Sequence, residues 1–329
     1  MEAPKQYTST AIAHANIAVA KYWGKRDTSL NLPIFDSVAF NVSDLVTETT
    51  AVWTDEMPVD RLTVDGERIP EDRMMRCRRI LDKIRLDRNW DKRCILTSCN
   101  TFPKSSGLAS SASGYAAIAL SASVSAGLAY TIKELSRIAR LGSGSASRSI
   151  PGGWTRWHAG EMEDGSDSYA EQLAPLDYWD LTVFVVQVSD KAKAVSSTHA
   201  MEISQKSPFW DSYCREARDA ADFAQSAILH RDFKQLTEIM HHSSMMLHGL
   251  MLSCYPPICY FAPKSIELLQ YILEASRTLP VCCTLDAGAN VVVLCESEIS
   301  TIVKEQIELL NVPFIETRVG EGAKVINGL

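Results

Sequence analysis

Residues 103–114 read Pro103-Lys104-Ser105-Ser106-Gly107-Leu108-Ala109-Ser110-Ser111-Ala112-Ser113-Gly114, and small apolar residues continue to about Ala129. A Gly/Ser/Ala turn entering a helix exposes backbone N–H groups that have no partner inside the helix. The helix dipole adds positive potential at that end, and small side chains let phosphate oxygens approach the backbone. Hydroxyls at Ser106, Ser110 and Ser111 add donors, or a ligand for Mg²⁺. No Lys-Ser/Thr pair closes the run, so it is not the G-x-x-x-x-G-K-[ST] loop. The same composition also serves close helix packing, and the residues alone leave both readings open.

Working outward, a second small-residue run, Gly142-Ser143-Gly144-Ser145-Ala146-Ser147-Arg148-Ser149, repeats the pattern with a cation added. Ser143 and Ser145 can donate to phosphate, and Arg148 can grip a planar carboxylate through two N–H groups. Upstream, Lys21-Tyr22-Trp23-Gly24-Lys25-Arg26-Asp27 places three cations within six residues, interleaved with aromatics. A solvated loop leaves Tyr22 and Trp23 unexplained, whereas a cluster that holds a small polyanion accounts for both. Asp286, in Leu285-Asp286-Ala287-Gly288, is either a turn former or a carboxylate that faces a substrate hydroxyl. Lys193, Ser196 and Ser197 lie in a polar segment, 191–198, read as a loop.

The chain of 329 residues carries 33 Lys plus Arg and 40 Asp plus Glu, a formal net charge of −7. That balance argues against a nucleic-acid binder that works by neutralising phosphates. No uncharged apolar window reaches membrane-spanning length, and Ile17–Ala20 runs straight into Lys21, unlike a secretory signal. A cytoplasmic protein is expected, with no membrane partner. Nine cysteines form no C-x-x-C pair, so reduced thiols are expected, with a Cys214–Cys254 bridge as the alternative. His241, His242 and His248 are better explained by packing than by metal ligation.

At about 100–200 residues per domain, two domains are expected. Strands are predicted at 11–20, 38–42, 48–53, 61–64 and 93–98, with Asp65-Gly66 as a hairpin turn. Helices are predicted at 71–86, from the small-residue run to about 129, and from Thr131, where Glu134 completes a capping box. Leu181–Val188 reads as a buried strand that opens the second domain. Helices follow at 207–230, 233–252, 264–276 and 298–310, with strands at 280–285, 290–295 and, last, 313–318. Helices segregated from short strands indicate an α+β fold, divided as 1–179 and 180–329.

Taken together, these residues resemble the diphosphomevalonate decarboxylases of the GHMP kinase superfamily. The resemblance is carried by Asn16–Asp27 with Leu30-Asn31-Leu32-Pro33, Gly107–Tyr115, Arg137–Arg140, Gly142–Ser145, Arg148-Ser149, Asp180–Asp190, Val195–Thr198, Pro256–Tyr260 and Leu285–Gly288. It implies a ribosomal-protein-S5-like first domain, a ferredoxin-like second domain and a cleft between them. It implies ATP and Mg²⁺ as cofactors, mevalonate 5-diphosphate as substrate, isopentenyl diphosphate as product, and a homodimer.

By the resemblance, Asp286 faces the C3 hydroxyl, as a base or as a stabiliser of positive charge. Lys21 meets the transferring phosphoryl group, Arg148 binds the substrate carboxylate, and Asn16 stands beside it. The stretch Pro103, Ser106, Gly107, Leu108, Ala109, Ser110 and Ser111 holds the nucleotide, with Ser111 near the metal. Tyr22, Trp23, Lys25, Ser143, Gly144 and Ser145 surround the substrate diphosphate, and Ser197 belongs to the closing loop. Departures from the family pattern include Ile34-Phe35-Asp36-Ser37, Ala192, Ala289 and Pro151. Asp36 matters most: a negative charge near the pocket would favour the alternative substrate, mevalonate 5-phosphate.

Overall fold

The computed structural model describes residues 7–102, 110–189 and 194–328. The first half contains β1 (Thr8–Ala20), β2 (Lys25–Asp27), β3 (Leu32–Pro33), β4 (Ser37–Thr54), β5 (Arg61–Val64), β6 (Glu67–Arg68), α1 (Met75–Arg88), β7 (Arg93–Asn100), α2 (Ser110–Ser125), α3 (Ile132–Gly142), α4 (Ala146–Ser149), β8 (Trp154–Trp157) and β9 (Ala170–Ala174). The second contains β10 (Leu181–Val186), α5 (Ser197–Ser204), α6 (Trp210–Arg218), α7 (Ala220–His230), α8 (Phe233–Leu252), α9 (Pro263–Ala275), β11 (Val281–Leu285), β12 (Val291–Glu296), α10 (Ser300–Glu308), β13 (Phe314–Thr317) and β14 (Lys324–Gly328).

One sheet runs β14-β1-β4-β7-β5-β6, with β8 joined to β4 and β9 to β8. The strands expected at 38–42 and 48–53 are one continuous strand, β4, which spans the sheet and pairs with β1 along most of its length. The Asp65-Gly66 turn joins β5 to β6, with Val64 opposite Glu67. Helix α2 lies across β1 and β4, and Ala112, Ala116, Ala117, Ala119 and Ala122 are all fully buried. Its buried serines find partners both in the helix and on the sheet: Ser123 Oγ donates to the Ala119 carbonyl at 2.6 Å, Ser125 Oγ to that of Ser121 at 2.7 Å, and Ser113 Oγ pairs with Thr47 Oγ1 of β4 at 2.7 Å. Small side chains therefore let the helix sit close on the sheet without orphaned polar groups. Thr131 and Glu134 form the reciprocal cap that starts α3.

The second sheet is antiparallel, in the order β11-β12-β10-β13. β10 is buried along its whole length because it has a core on each face. Leu181, Val183 and Val185 join a cluster shared with β1 and β4, while Phe184 and Val186 face α9 and α10. The shared cluster, with Ile17, Val19, Phe40, Ala224 and Leu236, fuses the two halves of the molecule.

Two further expectations differ from the structure. The helix expected at 207–230 breaks at Asp219, whose carbonyl caps α7 by accepting from Asp222 and Phe223 at 3.1 Å each. The break lets the two pieces bury different faces: Tyr213 joins a cluster with Trp23 and Leu247, and Ala221, Ala224 and Ile228 join the shared core. The chain also does not end on the strand at 313–318. β14 returns to pair with β1, so the tail of the 180–329 segment completes the first sheet. All nine cysteines are free, Cys214 and Cys254 included. Among the described residues no helix is long and apolar enough to cross a membrane, and no His/Cys/Asp/Glu group could hold a metal ion.

Candidate active site

A cavity of about 240 Å³ opens between the two halves. Its floor is made where β1 and β11 end. Lys21 follows β1 and Asp286 follows β11, and Lys21 Nζ donates to Asp286 Oδ1 at 2.5 Å. The lysine side chain is 2 % exposed and the aspartate 43 %. Burial pushes the Lys21 pKa below its ordinary value, and the Asp286 carboxylate opposes that shift. The carboxylate thus offsets part of the desolvation that disfavours the lysine's charge.

Arg148 enters from the short helix α4 and is buried. Its Nε donates to Asn16 Oδ1 at 3.1 Å and its Nη1 to Ser37 Oγ at 2.8 Å. Asn16 is fixed in turn by donating from Nδ2 to the Ser145 carbonyl at 2.9 Å and Ser149 Oγ at 2.8 Å. Burial brings the arginine's pKa down to about 10, with Asp286 and Tyr22 opposing, so it remains a cation at neutral pH. The rings of Tyr22 and Trp157 meet edge to face with centroids 4.8 Å apart, and the guanidinium lies 6.0 Å from each. Arg148 is therefore held in one orientation from two sides.

The second small-residue run forms the adjoining wall. Ser143 ends α3, and its Oγ lies 3.2 Å from that of Ser145. Gly144 is required there, because a Cβ at that position would meet Tyr22 Oη at 2.6 Å. The Tyr22 hydroxyl is buried without a hydrogen-bond partner among the described residues. Lys25 Nζ donates to Asn31 Oδ1 at 2.7 Å, and Asn31 is anchored on the Arg140 carbonyl at 2.9 Å. Burial, then the nearby charges of Arg76 and Arg79, bring the Lys25 pKa down to about 8.

The cavity thus gathers Asn16, Lys21, Tyr22, Trp23, Lys25, Ser111, Ser143, Gly144, Ser145, Arg148, Ser197 and Asp286. Ser110 opens α2 but does not line the cavity, whereas Ser111 in the same turn is exposed on its wall. Pro103, Ser106, Gly107, Leu108 and Ala109 lie outside the described residues, as does Lys193. Ser197 is not in a loop: it begins α5, where Ser196 Oγ accepts from the His199 N–H at 3.3 Å.

Asp36 differs from expectation. It does not line the cavity. Its carboxylate accepts from Arg156 at 2.7 and 2.9 Å and from the Ala159 N–H at 2.7 Å. Burial opposes its ionisation, yet the hydrogen bonds from His158, Ala159 and Arg156 prevail and set its pKa at about 2. The charge is paired with Arg156 and lies off the cavity lining. Ser37 beside it reaches Arg148 instead.

Sequence reasoning missed Arg76, whose Nη2 donates to Thr198 Oγ1 at 2.9 Å on the cavity wall. It sits among Arg73, Arg78 and Arg79 in and around α1, so residue type alone could not single it out. Ser37 was readable only as a neighbour of Asp36. Among the described residues the lining then holds four cations, Lys21, Lys25, Arg76 and Arg148, against the single carboxylate of Asp286. Such a donor set suits a small polyanion. A magnesium ion fits it only if carried on phosphates, because that lining supplies no cage of carboxylates.

Comparison with known proteins agrees with this geometry. Residues 13–170 match the diphosphomevalonate decarboxylase-like N-terminal domain, and residues 183–324 the mevalonate 5-diphosphate decarboxylase C-terminal domain. Diphosphomevalonate decarboxylase mvd1 of Aspergillus fumigatus is 36 % identical over 333 residues, 94 % of this chain and 82 % of that protein. The mevalonate diphosphate decarboxylase structure from Staphylococcus aureus superposes with a TM-score of 0.90 at 30 % identity, covering 97 % of this chain and 98 % of that one. MDDEF, solved in complex with MVAPP, AMPPCP and magnesium, superposes with a TM-score of 0.90 at 31 % identity, over 98 % of this chain and 99 % of that one. With both halves of the chain matched in order and the two-domain fold shared, the protein belongs to the diphosphomevalonate decarboxylase family.

Proposed function

We propose that this enzyme converts mevalonate 5-diphosphate, with ATP and Mg²⁺, into isopentenyl diphosphate, ADP, phosphate and CO₂. The observation that carries the reading is the placement of Lys21, Asp286 and Arg148 around one cavity. ATP supplies the phosphoryl group that turns a poor leaving group, the C3 hydroxyl, into a good one, and Mg²⁺ offsets the charge of its phosphates.

This chain's residues do the rest by position and electrostatics. Asp286 presents its carboxylate to the tertiary hydroxyl and draws its proton forward as the phosphoryl group arrives. Lys21, held on Asp286 and out of water, meets the incoming phosphoryl oxygens. Arg148 holds the substrate carboxylate at a fixed angle. As phosphate leaves C3 and positive charge builds there, the electrons of the bond to that carboxylate form the double bond and CO₂ departs. Lys25, Arg76, Ser143 and Ser145 hold the diphosphate, with the Tyr22 hydroxyl as a further donor. Ser111 takes the nucleotide phosphates near their metal ion, and Ser197, at the start of α5 on the cavity lining, offers its hydroxyl to the substrate. The division at 179/180 is proposed to separate the two walls of this cleft.

The monophosphate is the alternative substrate. Asp36 was its main support, and its engagement by Arg156 removes that support. The ratio of kcat/KM on the two compounds decides, with a large preference for the diphosphate expected and a preference for the monophosphate overturning the assignment. A cytoplasmic homodimer is proposed from the family resemblance, and sedimentation of the full chain reads the assembly.

A further inference from the structure

The Lys21–Asp286 pair joins residues from separate sheets, so something must hold the two strand ends in register. We propose that Ser243 and Ser244, adjacent on α8, are positioning residues that fix the two members of this pair for the reaction proposed above, on which this inference rests. Ser243 Oγ accepts from the backbone N–H of Lys21 at 3.0 Å. Ser244 Oγ accepts from the N–H of Leu285 at 3.0 Å and donates to the Leu285 carbonyl at 3.3 Å. Leu285 directly precedes Asp286.

Consecutive residues on a helix point about 100° apart. One serine therefore reaches the end of β1 while the other reaches the end of β11. A hydroxyl inside a helix ordinarily bonds back to a carbonyl of its own preceding turn. Thr237, on the same helix, does so, donating to the Phe233 carbonyl at 2.8 Å. Ser243 and Ser244 instead bond across to the two strand ends.

β11 also needs such a partner. It is the edge of its sheet and, among the described residues, pairs only with β12. The outward N–H groups of an edge strand are left without ladder partners. On β11 two of these are taken by α8: Leu285 by Ser244, and Cys283 by His241 Nε2 at 3.1 Å. Burial holds His241 down to about 4, which keeps that nitrogen an acceptor at neutral pH. The strand that delivers Asp286 is thus pinned to the helix at two points, and the same helix turn holds the backbone N–H of Lys21 itself.

The test is steady-state kinetics of the full-length Ser243→Ala, Ser243→Thr and Ser244→Ala enzymes with ATP and mevalonate 5-diphosphate, with thermal melting read in parallel. A misplacement of about 1 Å costs on the order of 100-fold in rate. Both alanine variants are expected to lose about 10- to 100-fold in kcat, with KM for both substrates within about threefold of the parent. Ser243→Thr, which keeps the hydroxyl, is expected to recover most of kcat. Unchanged kcat in both alanine variants overturns the proposal. So does a loss that vanishes when activity is expressed per folded, nucleotide-binding molecule, because that would mark a purely structural role. A parent enzyme that releases no CO₂ would instead overturn the functional reading.

Discussion

Arg148 donates from Nε to Asn16 Oδ1 at 3.1 Å, and this bond ties the short helix α4 to strand β1 at the wall of the cleft. In the proposed mechanism this guanidinium holds the substrate carboxylate still while the carbon–carbon bond to it breaks. Its hold must be geometric more than energetic, since strong stabilisation of the carboxylate would slow decarboxylation. Asn16 and Ser37 supply that geometry from behind.

Asn16→Ala therefore loosens Arg148 without removing it. Its kcat is expected to fall about 10- to 100-fold while the binding of ATP is retained. Arg148→Lys keeps the charge but loses the planar fork, and a larger loss is expected. Steady-state kinetics on both variants checks the order.

Asp286→Asn removes the carboxylate that the proposed mechanism sets against the C3 hydroxyl. Turnover is expected to fall by about 10²–10⁴-fold, the range for a positioned acid–base group. ATP binding, measured by calorimetry, is expected to survive. Near-normal turnover would remove Asp286 from its role.

Lys25 gives the pH dependence a sign. Its pKa is lowered by burial to about 8, so the ammonium is present below that pH and lost above it. A diphosphate favours the charged form, and its binding weakens once the free enzyme must first take up a proton. KM for the substrate is expected to rise above about pH 8, by up to tenfold per unit. Lys25→Arg, which stays charged, is expected to flatten that rise.

Asp36→Asn tests whether this residue selects the substrate. Arg156 and His158 lose a charged partner, so a stability loss of about 1–3 kcal/mol is expected by denaturant unfolding. The ratio of kcat/KM on the two phosphorylated mevalonates is expected to stay the same. The pKa of about 2 also sets a window. Because it is depressed, this contribution is fully present above the unfolded value near 3.8 and is lost as pH falls toward 2.

The candidate site residues were legible through the family motifs more than through residue type: Asp286 at the end of an apolar strand reads equally as a turn former, and only the motif around it points to a reaction centre. The two-domain α+β plan followed from the length of the chain, the long apolar run at Leu181–Val188 and the helices after it. What hid was whatever depends on partners far away in sequence. Nothing local distinguishes Arg76 from its arginine neighbours on α1, or Ser243 from any helical serine. Asp36 misled because its charge was visible and its partner, Arg156, 120 residues on, was not. β14 escaped because Lys324–Gly328 is a short, polar-flanked edge strand that takes its order from β1.

The most direct measurement is the amount of CO₂ released per ADP formed when the enzyme is given mevalonate 5-diphosphate, ATP and Mg²⁺. One CO₂ for each ADP is predicted, since phosphorylation at C3 and loss of the carboxylate occur in the same cavity. ADP without CO₂ would make the protein a kinase and contradict the account.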